Sequence, residues 1–443
     1  MRANRWLGWI AGLWLCASGG GSLGCGPAGG GPSPPNLVLV TFDTLRADHV
    51  GVREEGTPSL TPHLDSLAGR GRVFEHAFTT MPTTAPAHAS MLTGLHPHEH
   101  GIERNGDRVQ EEGLQRAALQ RLLGERGYAT GAFVTSSVFG RDAMGLDGFD
   151  VFDTGEGGLR PGAEAAAAAL EWAEAQQQPF FLWLHLYDPH SPYGPASRKP
   201  AHYPIDLSRY GWVDPSHYSD PHQREEMAKL YAEGVREADA VLGSLWAGLE
   251  SLNANPLVLL TSDHGELMAE RLDATGFAYG HGAMLGPEVL HVPLVVAGPE
   301  ITAERVAASA SVRDVYTTLL AAAGLPDPSA RAEGRFDLRG ALPEQRIVAA
   351  ARREFTARDR LKREIGPAAY AHVRANSVAV SDGEHLVVLG EDGAVAEGAD
   401  APAPLVAAGQ AALAAQQTAR AGRVSEELDD ETRARLRALG YLE

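Results

Sequence analysis

Five short runs are apolar at nearly every position and rich in β-branched residues: 36–42, 128–134, 180–186, 257–261 and 292–297. A run of this kind buries side chains on both faces, which is the pattern of a strand inside a parallel sheet covered on each side. Between the runs, apolar positions recur at helical spacing over 114–127, 162–176, 223–252 and 312–324. Segment 163–175 is rich in alanine, but Trp172 and the flanking glutamates suit a surface helix better than low complexity. The alternation predicts an α/β fold, a mostly parallel sheet sandwiched by helices. After about residue 325 the pattern changes. A loop-rich stretch leads to strand patterns at 377–380 and 385–389, separated by Asp382-Gly383, a hairpin signal. Residues 426–441 have the charge pattern of a helix solvated on one face. The expected organisation is a catalytic domain over 36–325 and a smaller C-terminal α+β subdomain over 326–443, with an antiparallel sheet and a terminal helix.

The first 25 residues read as an export signal. Arg2 and Arg5 form a basic start, and Trp6 to Ala17 is an apolar stretch too short to span a bilayer. Ser22-Leu23-Gly24-Cys25 resembles a bacterial lipoprotein cleavage box, although a serine three before the cysteine is atypical, so lipidation at Cys25 and plain secretion both stay open. The Gly/Pro/Ser stretch 26–35 is a tether. The expected location is the cell envelope, periplasmic or lipid-anchored, or the medium. Cys16 and Cys25 are the only cysteines, so the folded body has no thiolate ligand or nucleophile and no disulfide. With 44% hydrophobic and 21% charged residues, the chain of 443 residues can bury a large core. Its net charge of −19 argues against nucleic-acid partners and against membrane contact other than through a lipid anchor. An anionic substrate would need concentrated positive charge, most simply a bound metal.

Three of the strand patterns end in polar residues: Thr41 to His49, His185 to His190 and Thr261 to Glu266. In open parallel sheets ligands bind beyond the carboxyl ends of the strands. Convergence of these ends would put Asp43, Asp263 and His264 in one cleft, a plausible divalent-metal set; taken singly, each aspartate could be only a helix cap. In Met81-Pro82-Thr83-Thr84-Ala85-Pro86-Ala87-His88, a hydroxyl residue opens a helix whose first turn favours an anion.

Together these segments resemble the sulfatase family of the alkaline phosphatase superfamily. Residues 36–51 resemble its opening, 57–67 its "TPNLDRLA" helix, and 84–101 its signature "C-x-P-S-R-A-S-x-L-T-G-x-x-P-x-x-H-G". Residues 261–266 resemble its second metal motif. Gly280-His281-Gly282 with 289–293, the helix 311–324 and the tail 436–442 resemble later family segments. The likeness is good over about 36–325. It implies a metal held by Asp43, Thr84, Asp263 and His264. Asn105 would contact substrate oxygens, or be a turn residue before Gly106. His190 would stand near the leaving group, with His185 beside the substrate. His281 replaces a lysine and could be an acid, an anion donor or a ligand. Asp188, His190 and His281 are candidates for a second metal. His96 and His98 read as surface residues, Arg46 and Asp48 as braces of the loop after the first strand, and Glu266 as a residue of a helix's first turn.

The departures from the family pattern bear on chemistry. The signature cysteine, converted to formylglycine in sulfatases, is Thr84, which cannot be converted. The signature arginine is His88, a candidate catalytic residue. The paired aspartates are Asp43 and Thr44, and His264 replaces an asparagine common in calcium sites. A site with imidazole and fewer carboxylates favours Zn²⁺ or Mn²⁺, with Ca²⁺ still open. The resemblance therefore implies hydrolysis of phosphate or phosphonate esters, with Thr84 as nucleophile and a small-molecule, glycan or lipid ester as substrate. A sulfuric ester hydrolase using Thr84 directly is the alternative, and a non-catalytic envelope protein binding anionic glycans a third. A nucleophile beside a metal set argues against the last.

Overall fold

The computed structural model describes residues 34–51, 57–109, 111–136, 138–139, 144, 147–155, 160–194, 220–272, 277–328, 334–352 and 376–421. The export segment, Cys25, most of the linker and the expected terminal helix at 426–441 lie outside the described residues. In chain order the strands are β1 (Leu37–Phe42), β2 (Arg72–Phe74), β3 (Ala77–Phe78), β4 (Ala129–Val134), β5 (Val151–Asp153), β6 (Phe180–Leu186), β7 (Leu257–Ser262) and β8 (Leu267–Met268). They continue with β9 (Tyr279–Gly280), β10 (Leu294–Ala297), β11 (Glu304–Val306), β12 (Ala310–Ser311), β13 (Val348–Arg352), β14 (Ser377–Ser381), β15 (Leu386–Leu389) and β16 (Val395–Glu397).

Eight strands form the main sheet in the order β11-β2-β10-β7-β1-β6-β4-β5. All neighbours in it are parallel except β10, which runs antiparallel to β7 and β2. The central strands β1, β4, β6 and β7 are buried at every residue, as expected where helices cover both faces. Alternation along β1 divides the core. Leu37 and Leu39 join one cluster with Ala85, Ala89, Leu92, Leu119 and Leu319, from helices Thr84–Thr93, Leu119–Glu125 and Asp314–Ala322. Val38, Val40 and Phe42 join the other, with Leu64, Ala169 and Leu242 from helices Pro62–Ala68, Gly162–Glu174 and Pro221–Ser251. Thr41 thus projects toward the face that carries the Thr84–Thr93 helix.

The four-stranded antiparallel sheet β13-β14-β15-β16 is the C-terminal one expected from the Asp382-Gly383 hairpin. Helix Ala403–Ala421 covers it through Leu405 and Leu413. A buried Arg346–Asp314 pair ties the segment before this sheet to the main body. The expected helix at 114–127 is two helices, Glu112–Arg116 and Leu119–Glu125. The three-residue strands β2, β5 and β11 have no counterpart among the expected elements, because so short a run carries no readable period.

Candidate active site

Strand register sets the floor of the site. β1 lies between β6 and β7, and Thr41 pairs with both His185 and Thr261, Phe42 with both Leu186 and Ser262. Asp43 and Asp263 therefore leave the sheet side by side at its carboxyl edge, and His264 follows. Ligand atoms of Asp43, Asp263 and His264 lie within 4.8 Å of one another, and all three side chains are fully buried. His264 Nε2 is 3.4 Å from Asp263 Oδ2 and 3.9 Å from Asp43 Oδ1.

The backbone around them is fixed on several sides. The Asp43 N–H donates to Leu186 O at 2.8 Å, and the Leu45 N–H to Ser262 Oγ at 2.9 Å. The Gly265 N–H donates to Val289 O, and a β-carbon at Gly265 would come within 2.1 Å of Glu288 O, so only glycine lets these segments meet. Thr44 stands where the second carboxylate is missing. It has φ 64°, an uncommon conformation for a β-branched residue. Its N–H donates to Asp263 Oδ1 at 3.2 Å, and its carbonyl accepts the Tyr231 hydroxyl at 2.7 Å. Arg46 and Asp48 form the expected brace, with Nη2 to Oδ2 at 2.7 Å, and Arg46 also donates to Glu266 O.

Thr84 opens its helix after Thr83, which is extended, and its Oγ1 lies 3.4 Å from His264 Nε2. Asn105 is buried. Its Oδ1 accepts the Ala85 N–H at 2.9 Å, and its Nδ2 makes no hydrogen bond. The side chain thus sits at the N-terminus of the Thr84 helix, where backbone N–H groups favour an anion. One turn on, His88 is fully buried, with Nδ1 2.8 Å from Thr84 O and Nε2 3.0 Å from Thr41 Oγ1. His185 Nδ1 meets the same Thr41 oxygen at 3.1 Å, and His185 Nε2 lies 3.4 Å from Asp43 Oδ2. His190 bonds Ser191 O through Nδ1 and stacks on Tyr187. Its ring centroid is 5.1 Å from that of His281, which in turn is 4.2 Å from that of His264.

Three expectations need correction. Glu266 is in no helix. Its backbone pairs with Glu288 just before β8, and the side chain is fully buried, with Oε1 3.2 Å from His281 Nδ1. Asp188, His190 and His281 do not form a second metal cluster. Among the described residues only Asp43, Asp263 and His264 bring three ligand atoms within 4.8 Å, and Asp188 instead accepts the Gly162 N–H at a helix start. His96 and His98 stack on each other beyond the end of the Thr84 helix, half-buried rather than on the surface; His96 bonds Arg313. Glu266, Thr41 and Trp183 were not singled out as site residues in the sequence. Of these only Thr41, a polar residue inside an apolar run, left a signal there.

Burial governs the charge states. It raises Asp43 and Asp263 above the usual carboxylate range and pushes Glu266 up to about 8. It lowers His88 and His190 to about 3 and His185 to about 4, and holds His281 well below its ordinary value. It also pulls on His264, but Asp263 and Asp43 more than offset it, so this imidazole is raised. Both oxygens of Asp43 and Oδ2 of Asp263 are buried and accept no hydrogen bond. His264 Nδ1 lies 2.9 Å from Gly265 O, so in the neutral ring its proton is held there and the Nε2 lone pair points inward. Uncompensated carboxylate oxygens around an inward imidazole nitrogen fit a divalent cation.

A pH dependence follows. A carboxyl raised in the fold keeps protons that the unfolded chain releases, so the metal-free protein loses stability as pH rises through that window. Histidines lowered in the fold act oppositely, below their ordinary value of 6.5. Between pH 6.5 and about 8 the lowered histidines no longer oppose the carboxyls, and the raised His264 imidazole acts in the same direction as they do. Thermal melts of chelator-treated protein should fall across this interval, and Glu266→Gln should flatten the fall. Cation affinity should rise over the same interval, because protons no longer compete. A flat melt profile in the unaltered protein would contradict the charge assignment.

The sulfatase family model matches residues 35–325. An ulvan-active sulfatase of Formosa agariphila is 26% identical over 334 residues, covering 67% of this chain and 63% of the relative. The N-acetylgalactosamine-6-sulfatase of Homo sapiens is 27% identical over 376 residues, covering 72% and 68%. The chain thus spans roughly two thirds of the length of these relatives. Among solved structures, the phosphonate monoester hydrolase of Agrobacterium radiobacter superposes with a TM-score of 0.62 at 19% identity, over 90% of this chain and 98% of that one. A 2-O GAG sulfatase superposes with a TM-score of 0.63 at 18% identity, over 90% and 96%. These two likenesses establish the fold, and with the family match over 35–325 they show that this chain belongs to the sulfatase family.

Proposed function

We propose that the protein is a metal-dependent hydrolase of phosphate or phosphonate esters in which Thr84 is the nucleophile. The observation that carries this reading is the Thr84 hydroxyl at a helix N-terminus, 3.4 Å from His264 Nε2 and beside two buried carboxylates that keep both oxygens of Asp43 and Oδ2 of Asp263 without hydrogen-bond donors. A divalent cation held by Asp43, Asp263, His264 and Thr84 would supply the positive charge that makes this hydroxyl acidic and neutralises the ester oxygens.

The chain's own groups then divide the work. The Thr84 oxygen gives up its proton to solvent and bonds to phosphorus as the bond to the leaving oxygen breaks, and water later cleaves the phosphorylated or phosphonylated threonine to release phosphate or phosphonate and restore the hydroxyl. Asn105 Nδ2, buried without a hydrogen-bond acceptor, is the donor for a substrate oxygen at the helix N-terminus. Glu266 and His281 share one proton across 3.2 Å. With that proton on Glu266, the neutral His281 ring can give its Nε2–H to the leaving oxygen while Glu266 restores a proton at Nδ1. His190 is held neutral by burial and serves as a polar wall rather than a resident acid. Threonine can shed a phosphoryl group only by attack at phosphorus. It lacks the carbonyl hydrate by which a formylglycine expels sulfate, and this favours phosphorus over sulfur esters.

Sulfatase relatives keep the sulfuric ester reading as the second one. Purified protein loaded in turn with Zn²⁺, Mn²⁺ and Ca²⁺ and assayed on matched aryl phosphate, phosphate diester, phosphonate and sulfate substrates separates them. The expected result is phosphorus-ester turnover at least about tenfold faster in kcat/KM than sulfate turnover, with Zn²⁺ or Mn²⁺ the better ion, about 1.4 kcal/mol of discrimination. Sulfate turnover equal or faster would overturn the preferred reading, and no turnover on any ester would favour glycan binding alone.

A further inference from the structure

A cavity of about 430 Å³ lies between the segment that follows the Thr84 helix and the C-terminal sheet. Its walls include His96, Arg313, Ala350, Val378, Ala412 and Gln416. A space of this size suits a small ligand. It is not the catalytic cleft. Thr84 opens the helix and Gly94 closes it, so the length of the helix, about 15 Å at 1.5 Å per residue, stands between the two.

Two polar side chains in its wall are unsatisfied in complementary ways. Gln416, from helix Ala403–Ala421, is 1% exposed, and neither its Oε1 nor its Nε2 has a hydrogen-bond partner. Turning the amide over exchanges one unpartnered atom for the other. Buried side-chain amides are bonded as a rule, so Gln416 marks a wall built to meet a polar group. Arg313 is buried as well. It donates Nε–H to Gly94 O at 2.9 Å and bonds His96 Nε2 through Nη1. Arg335 and Arg346 are close enough to oppose its charge, but each has its own carboxylate, Asp327 and Asp314, at 2.6 Å. Arg313 forms no ion pair among the described residues. Glu99 also lines the cavity, but its Oε2 accepts the His96 N–H at 2.8 Å. Burial and the adjacent guanidinium hold His96 well below its ordinary value, so the ring is neutral. Water would satisfy the amide, whereas only an anion neutralises the guanidinium.

We propose that this cavity is a second ligand site, for a compact organic carboxylate held by Arg313 and Gln416. The guanidinium takes the charge, the Gln416 N–H₂ donates to the carboxylate, and its Oε1 accepts from a hydroxyl or amine on the ligand where one is present. Ala350, Val378 and Ala412 cover the apolar body of the ligand. That apolar wall is the reason to choose a carboxylate with a carbon body over inorganic sulfate or phosphate, whose oxygens would face it without donors. Nothing here depends on the metal cluster, on the ester or on Thr84 as nucleophile.

The test is calorimetric titration of the full-length protein with benzoate, benzamide and inorganic sulfate, before and after chelator treatment. The expected result is one benzoate per chain with a dissociation constant of about 1 mM or tighter, the same in both states, and benzamide and sulfate each weaker by about tenfold or more. Gln416→Leu should weaken benzoate about tenfold while leaving ester turnover unchanged, because the residue touches only this cavity. The variant should fold at least as well as its parent, since leucine removes a buried amide without partners. No benzoate binding, or binding that is lost on chelation, would overturn the proposal. So would benzamide or sulfate binding as tightly as benzoate, or benzoate binding unchanged by Gln416→Leu. Should that variant fail to fold, magnetisation transfer between benzoate ring protons and the Val378 methyls in the unaltered protein decides, and its absence overturns the site.

Discussion

Thr84→Ala should lower kcat/KM on the best ester by about 10⁴-fold or more, the order seen when a catalytic nucleophile is removed, while leaving the fold and cation affinity nearly intact. The fold should persist because alanine is a better helix former than threonine, and the helix is held by Ala85, Ala89 and Leu92 in the core. Cation affinity should persist because Asp43, Asp263 and His264 remain. Thr84→Ser keeps the hydroxyl 3.4 Å from His264 Nε2 and should stay within about tenfold of the unaltered rate. Acid quenching during turnover, followed by mass spectrometry, should find phosphate on residue 84 of the unaltered protein and none on the alanine variant. Equal rates for the unaltered protein and Thr84→Ala would mean that water attacks directly. Thr84 would then be only the first residue of a helix, and the nucleophile assignment would fall while the metal site stood.

The parallel sheet and the sequence positions of its metal candidates were readable because each is local. An apolar run ending in Asp43, or in Asp263-His264, marks a strand and its carboxyl end without knowledge of the partner strand. The in-register pairing of Thr41 with His185 and Thr261 is not local, and it is what places the three ends together. The strand at 292–297 read as one more buried run, yet its direction is reversed, since the period of a strand says nothing of its direction. Glu266 was misplaced for a related reason. A glutamate four residues after a strand end resembles the acidic first turn of a helix, and only the approach of Glu288 and Val289 to Gly265 reveals that the chain turns into β8 instead. The second-metal set failed on geometry. Asp188 is drawn to the N–H of Gly162, from a helix distant in sequence, and no local pattern records that competition.

Asp43→Asn should make the metal-free protein more stable and the metal-loaded protein less stable than its parent. In the metal-free chain Asp43 is fully buried, neither oxygen accepts a hydrogen bond, and Asp263 carries a second carboxylate nearby. Burial raises both groups, so above their ordinary range each ionised carboxylate opposes folding. Asparagine removes one of these charges at nearly constant volume. Its amide N–H₂, placed where Oδ2 now stands, would lie about 3.4 Å from His185 Nε2, which has no hydrogen-bond partner, close enough for a small adjustment to make a hydrogen bond. Relief of an unpaired buried charge is worth about 1–3 kcal/mol at pH 8, read by denaturant unfolding after chelation. With cation present the order should invert. At about 1,000 times the dissociation constant a ligand adds about 4 kcal/mol to the parent, and the variant, having lost an anionic ligand, should gain far less of it. A metal-free variant less stable than its metal-free parent would mean that Asp43 holds the fold through some favourable contact. The carboxylate would then not be waiting for a cation, and the metal reading of the cluster would lose its main physical support.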